Sequence, residues 1–219
     1  MKIRKYFAAL LAISLLTGCT GTAEPEKADA IETEEPAVKE NIADQYEKLN
    51  EDNHFEVTEK ETLTSILSHG TAAVFLGFPE CPWCQAYIPL LEEVLAEQDA
   101  LCSYYNIYND KGSDREFYDS VADLLVSQND TGTDIIDYDN DGKPTIYMPL
   151  VLFVEKGRIV AFDNETCMED GKSVPPDHYW TKDKKAALKE RLSEYVKSVK
   201  EMQAQNDSRG CDTGCKVGD

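Results

Sequence analysis

Positive charge is scarce in this chain: 22 Lys and Arg face 42 Asp and Glu, for a net charge of −20. So large an acidic excess repels phosphate backbones and anionic head groups, which argues against nucleic acid and the bare lipid surface as partners. Long apolar runs are missing too. The run Phe7 to Leu16 covers about ten residues, half of the roughly 20 needed to span hydrocarbon, and no other run comes closer to a membrane-spanning helix. Histidine is rare: His54, His69 and His178 stand far apart, at no spacing that suits a triad or a metal cluster, and they read as surface residues. No internal repeat is visible.

What the N-terminus does have is an export signal. Lys2, Arg4 and Lys5 precede the short apolar run, and Leu16-Thr17-Gly18-Cys19 resembles the bacterial lipoprotein box, in which cleavage leaves a lipid-modified Cys19. Residues 1–18 are thus expected to be removed. Acyl chains gain about 0.8 kcal/mol per buried methylene, so several on Cys19 would hold the protein at a membrane without a spanning helix. Residues 19–45 are dominated by Glu, Ala, Thr and Pro, as in Glu32-Thr33-Glu34-Glu35-Pro36, and read as an acidic, self-repelling tether. A short helix from Val38 to Leu49 would lead out of it into a domain over 46–205, with a polar tail over 206–219.

Regular structure is predicted from near Phe55. Thr58-Glu59-Lys60-Glu61 has the pattern of a capping box, Leu63, Ile66 and Leu67 follow at helical spacing, and His69-Gly70 supplies a stop. Thr71 to Gly77 has the length and apolarity of a buried strand. Cys81-Pro82-Trp83-Cys84 then opens a helix carrying Leu90, Leu91, Val94 and Leu95 on one face. Leu101 to Tyr108 reads as a strand, and Ser113-Asp114-Arg115-Glu116 as a second capping box before a helix with Phe117, Val121, Leu124 and Leu125 on its stripe. After a polar stretch, Ile146 to Val154 and Arg158 to Phe162 form a hairpin across Glu155-Lys156-Gly157, and a last helix carries Leu188, Leu192, Tyr195, Val199 and Met202. Strands alternating with helices imply an α/β fold, a mixed sheet with helices on both faces.

Two cysteines separated by two residues at the start of a helix suit redox chemistry. They can close a small disulfide across one turn, and the first faces unpaired amides and the positive end of the helix dipole, which favour its thiolate. Cys81 is therefore the expected nucleophile and Cys84 the resolving thiol. Pro82 fits the first turn, where an amide hydrogen would have no partner.

The ordered set of a strand ending at Phe78-Pro79-Glu80, Cys81-Pro82-Trp83-Cys84 opening a helix, Pro89 within that helix and Pro149 heading the hairpin resembles the thioredoxin superfamily over Phe55 to Lys200. Within it the chain looks most like bacterial extracytoplasmic members, thioredoxin-like or bacteriocin-transport accessory proteins. The resemblance implies a thioredoxin fold, a cis bond before Pro149, and a substrate edge formed by Trp83, Met148 and Pro149. It also shows two departures: where thioredoxins carry a buried aspartate and a lysine that help the resolving cysteine, this chain has Phe75 and Tyr104. Glu80 beside Cys81 should oppose thiolate formation.

The cysteines have competing uses. A zinc site joining the pair to Cys211 and Cys215 suits neither the spacing nor the strand-to-helix context, and Gln85 stands where c-type haem attachment needs histidine, so no metal or cofactor is expected. Cys102, in a strand, reads as buried and inert. Cys167 lies in an acidic loop and pairs with Cys102 or with nothing; Cys211 and Cys215 form a local disulfide or exchange with Cys81. Asp137-Tyr138-Asp139-Asn140-Asp141-Gly142 matches the start of a calcium loop, but its twelfth position is Met148 rather than Glu, so an acidic turn is the reading. The whole implies a monomeric, lipid-anchored thiol:disulfide oxidoreductase acting on thiols and disulfides of exported proteins, with a membrane redox partner where it works as a reductant. The rival is a non-catalytic accessory module beside an export system.

Overall fold

A computed structural model describes residues 41–211, with side chains through 206. Its core is a five-stranded mixed sheet in the order β1-β3-β2-β6-β7: β1 Phe55–Val57, β2 Ala72–Leu76, β3 Cys102–Tyr105, β6 Leu150–Glu155 and β7 Arg158–Asp163. β1, β3 and β2 run parallel, while β6 runs antiparallel to β2 and β7 antiparallel to β6. This is a thioredoxin-like α/β fold.

Alternation along the central strands sorts side chains onto two faces. Ala73, Phe75, Tyr104, Val151 and Phe153 join one buried cluster, under α2 Pro82–Gln98 and α6 Lys182–Cys211. Val74, Leu76, Leu150, Leu152 and Val154 join the other, under α1 Lys60–His69 and α4 Arg115–Ser127. β2 and β6 are covered on both sides, which explains why their sequences read as continuous apolar runs rather than alternating ones.

Several details differ from the sequence-based expectations. The packed body starts before Phe55: Ile42, inside the segment read as tether, and Tyr46 are buried at 1% and 0% exposure around a 3-10 turn at Ala43–Gln45. Both capping boxes shift by one residue. Glu59 is the N-cap of α1 without a side-chain bond, and Thr58 Oγ1 donates to the Glu56 carbonyl instead. Asp114 caps α4 by accepting from the Phe117 amide at 3.1 Å, because Ser113 is spent on the end of an unforeseen short helix, α3 Ile107–Ser113. That helix also shortens the strand expected to reach Tyr108. The backbone of α6 is helical to Cys211, past the start predicted for the polar tail.

Three further short pieces complete the order: β4 Asp137–Tyr138 with β5 Pro144–Thr145, β8 Met168–Glu169 with β9 Lys172–Ser173, and α5 Pro176–Tyr179. Among the described residues no helix is long and apolar enough to cross a membrane. The β6–β7 turn places Lys156 and Gly157 at φ 51° and 75°, the two-residue turn that matches strand twist. Gly157 also donates to the Gly70 carbonyl at 2.8 Å, and a Cβ there would collide with the Ser68 carbonyl. Gly157→Ala should therefore cost at least about 1–3 kcal/mol in urea unfolding of the reduced protein, and an unchanged midpoint would contradict this account of the turn.

Candidate redox site

Register builds the site. Leu76 at the end of β2 pairs with Leu150 at the start of β6, so the residues leaving β2 and those entering β6 lie side by side. The first group runs Gly77 to Cys81, turning where the Cys81 amide donates to the Phe78 carbonyl at 3.2 Å. The second is Met148-Pro149, joined by a cis peptide bond. The Cys81 thiol points at the Met148 carbonyl oxygen, 3.8 Å away.

Cys81 is the N-cap of α2, and its sulfur does what a serine or aspartate oxygen commonly does there: it accepts the Cys84 amide hydrogen, at 3.2 Å. Pro82 takes the first helical position without wasting a donor. Pro89, further along α2, removes the amide that would have met the Gln85 carbonyl, a local break that the rest of the helix tolerates.

The two thiols sit in opposite electrostatic situations. A bond from the Cys84 thiol, helped by the amides of Cys84 and Trp83 against the effect of burial, lowers the Cys81 pKa to about 7. Burial, reinforced by Cys81 itself, pushes the Cys84 thiol far above the ordinary thiol range. Cys81 retains 7% exposure and Cys84 none. Glu80 does not oppose the thiolate as anticipated: its side chain is exposed and is not among the groups that move Cys81. Gly77 is obligatory on steric grounds, since a Cβ there would press on the Phe75 ring and stand 3.2 Å from the Cys84 sulfur.

Trp83, which the resemblance placed on the substrate edge, is largely covered. It is 6% exposed, with its indole N–H donating to Ser173 Oγ at 2.8 Å and its ring packed edge-on against Tyr179 and Trp180. The covering segment runs from residue 164 to 181 and contains β8, β9 and α5. It is tied down by Arg191 of α6, which donates to Asp163 at 2.8 Å and to Glu165 at 2.6 Å. Tyr87 of α2 donates to the same Asp163 at 2.9 Å, and Tyr179 to Glu165 at 2.5 Å. In the turn before Cys81, Phe78 stacks on Tyr108 with centroids 4.2 Å apart, and Tyr108 is 48% exposed.

Under the site, Phe75 and Tyr104 face each other in register and stack, so an aromatic pair fills the places where charged groups would stand in thioredoxins. Tyr46 completes the layer, its hydroxyl 3.1 Å from that of Tyr104. Sequence reasoning gave Tyr46 no role: it falls at helical spacing with Ile42 and Leu49 in an acidic segment, but nothing local marks Tyr104 as its partner.

The remaining candidates scatter. Cys102 is buried in β3 with its thiol pushed up by burial, and Cys167 is half-buried in the covering segment; both are free thiols. The expected pairing of Cys211 with Cys215 and the lipidation of Cys19 fall outside the described side chains. His54 is not a plain surface residue: it is half-buried, its Nδ1 2.8 Å from Glu92. In the acidic stretch the Asp139 carboxylate accepts from the Asp141 and Lys143 amides, both at 2.9 Å, closing the β4–β5 hairpin. Among the described residues no group of three or more His, Cys, Asp or Glu is placed to hold a metal ion. A comparison of the sequence with models of known protein families finds no match.

The lowered Cys81 pKa predicts selective reactivity. Alkylation of the reduced protein by iodoacetamide should label Cys81 first, with a rate that is half-maximal near pH 7 and falls about tenfold per pH unit below it. A midpoint near pH 9, the value of an unperturbed thiol, would refute the asymmetry.

Proposed function

We propose that the chain is a thiol:disulfide oxidoreductase of the cell exterior, held to the membrane through lipid on Cys19 and acting on exported proteins. The observation that carries this reading is the unequal pair: a Cys81 sulfur stabilised as thiolate by the Cys84 thiol and by the amides of the helix start, beside a fully buried Cys84 that only an intramolecular partner reaches. Cys81 attacks a substrate disulfide and forms a mixed disulfide. Cys84 then attacks Cys81, forms the internal disulfide and releases the reduced substrate; the reverse sequence oxidises a substrate dithiol. Met148 and Pro149, alongside Cys81, present the backbone against which an extended substrate segment lies. The aromatic pair Phe78 and Tyr108, rather than Trp83, supplies the apolar contact.

A second reading, a binding module associated with export that keeps the pair as a structural element, draws on the low exposure of Cys81 and the cover over Trp83. Turnover separates the two. Insulin reduction with dithiothreitol, or oxidative refolding of a reduced protein, should be accelerated by the chain and should return to the uncatalysed rate in Cys81→Ser. Cys84→Ala should accumulate the mixed disulfide, visible as a mass adduct on Cys81. Acceleration in neither direction by the unaltered chain would favour the binding module.

A further inference from the structure

Resolution of the mixed disulfide poses a problem that this site must solve in its own way. Cys84 can attack only as a thiolate, yet burial and the neighbouring Cys81 hold its proton tightly. The strongest influences on that thiol are burial, Cys81 and nearby backbone amides, with no carboxylate or imidazole among them. The proton must nevertheless leave within one catalytic cycle.

The N-terminal segment provides a polar path in this apolar layer. Gln45 and Glu47 both bond Gln85, the residue after Cys84: Gln85 Nε2 donates to the Gln45 carbonyl at 2.8 Å, and the Glu47 amide donates to Gln85 Oε1 at 3.3 Å. Tyr46, between them, is thereby turned into the same buried cluster as Cys84, at 0% exposure. Its hydroxyl meets that of Tyr104, and Tyr104 with Ile42, Gln45 and Asn106 lines a cleft of about 350 Å³ that opens to solvent. A hydroxyl both donates and accepts, so two in series pass a proton without either being ionised. Loss of a proton from Tyr46 itself is strongly opposed by burial, then by Tyr104, Cys84 and Cys81, which favours relay over permanent uptake.

We propose that the Tyr46–Tyr104 hydroxyl pair is the proton outlet of Cys84 in the resolving step. This rests on the exchange reading above. As the Cys84 sulfur attacks Cys81, the Cys84–Cys81 bond forms and the Cys81–substrate bond breaks. The electron pair of that bond leaves with the substrate sulfur, and the Cys84 proton passes along the two hydroxyls to water in the cleft. The substrate disulfide is reduced by two electrons and the chain's dithiol is oxidised by two. Other titratable groups around the pair are Cys81 on α2, Tyr105 on β3, Glu59 before α1 and Asp110 on α3, the last held by Lys60.

Stopped-flow reaction of the reduced full chain with dithiobis-nitrobenzoate, in a background with Cys167, Cys211 and Cys215 replaced by Ser, reads the two steps apart, because attack by Cys81 releases one coloured thiolate and resolution by Cys84 releases the second. Tyr46→Phe and Tyr104→Phe should each leave the first phase unchanged and slow the second by about ten- to a hundredfold, with the slowed phase rising about tenfold per pH unit as hydroxide takes over. The unaltered chain should show a solvent deuterium effect on the second phase only, a readout that stands even where a variant does not fold. A second phase unaffected in both folded variants, or without a deuterium effect, overturns the proposal while leaving the exchange reading intact. Absence of the first phase in the unaltered chain overturns both.

Discussion

One contact organises this site: the Cys84 amide donating to the Cys81 sulfur at the first turn of α2. An α-helix begins with amides that have no partner inside it, and here one of those is given to a sulfur rather than an oxygen. Thiolate is a better acceptor than thiol, so the bond that finishes the helix also lowers the cost of charging Cys81. Structure and chemistry are thus the same interaction seen from two sides. Capping rewards the ionised sulfur, and the ionised sulfur in turn makes Cys84 harder to ionise, which keeps the two thiols from competing for the same step.

What the sequence made legible is what local physics determines. The run at residues 71–77 is long enough and apolar enough to be a buried strand, Cys81-Pro82-Trp83-Cys84 carries its own helix start, and Lys156-Gly157 its own turn; all three are where they were expected. What was not legible depends on distant partners. Ile42, Tyr46 and Leu49 fall at helical spacing, but the spacing does not say what they meet: they are buried because β3 and α2, some sixty and forty residues further along, present a surface for them. The capping boxes failed by one residue for a reason of competition. Ser113 was the better cap by pattern, but α3 ends on it, leaving Asp114 as the first free acceptor. The cover over Trp83 was not legible either, because the motif says nothing of residues 164–181, which are anchored through Arg191, Asp163 and Glu165.

That covering segment changes the character of the site. Ser173, Tyr179 and Trp180 cover Trp83, two residues from Cys81, while the sulfur itself faces the Met148 carbonyl. The anchoring charges sit where they stay effective. Asp163 is 6% exposed and is shared between Arg191 and the hydroxyl of Tyr87, so its desolvation is compensated by two strong donors.

The layer under the sulfurs completes the argument. Phe75, Tyr87 and Tyr104 make a low-polarity floor, and low polarity enlarges every electrostatic difference above it. The same apolar surroundings that widen the gap between the two thiols remove the charged group that would otherwise accept a proton from the buried one. Hydroxyls reconcile these demands, because they carry hydrogen bonds through an apolar layer without placing a charge in it. Tyr46 is placed there only because the segment before β1 is docked through Gln45 and Gln85, so under the proposed relay the N-terminal turn would serve the chemistry as well as the fold.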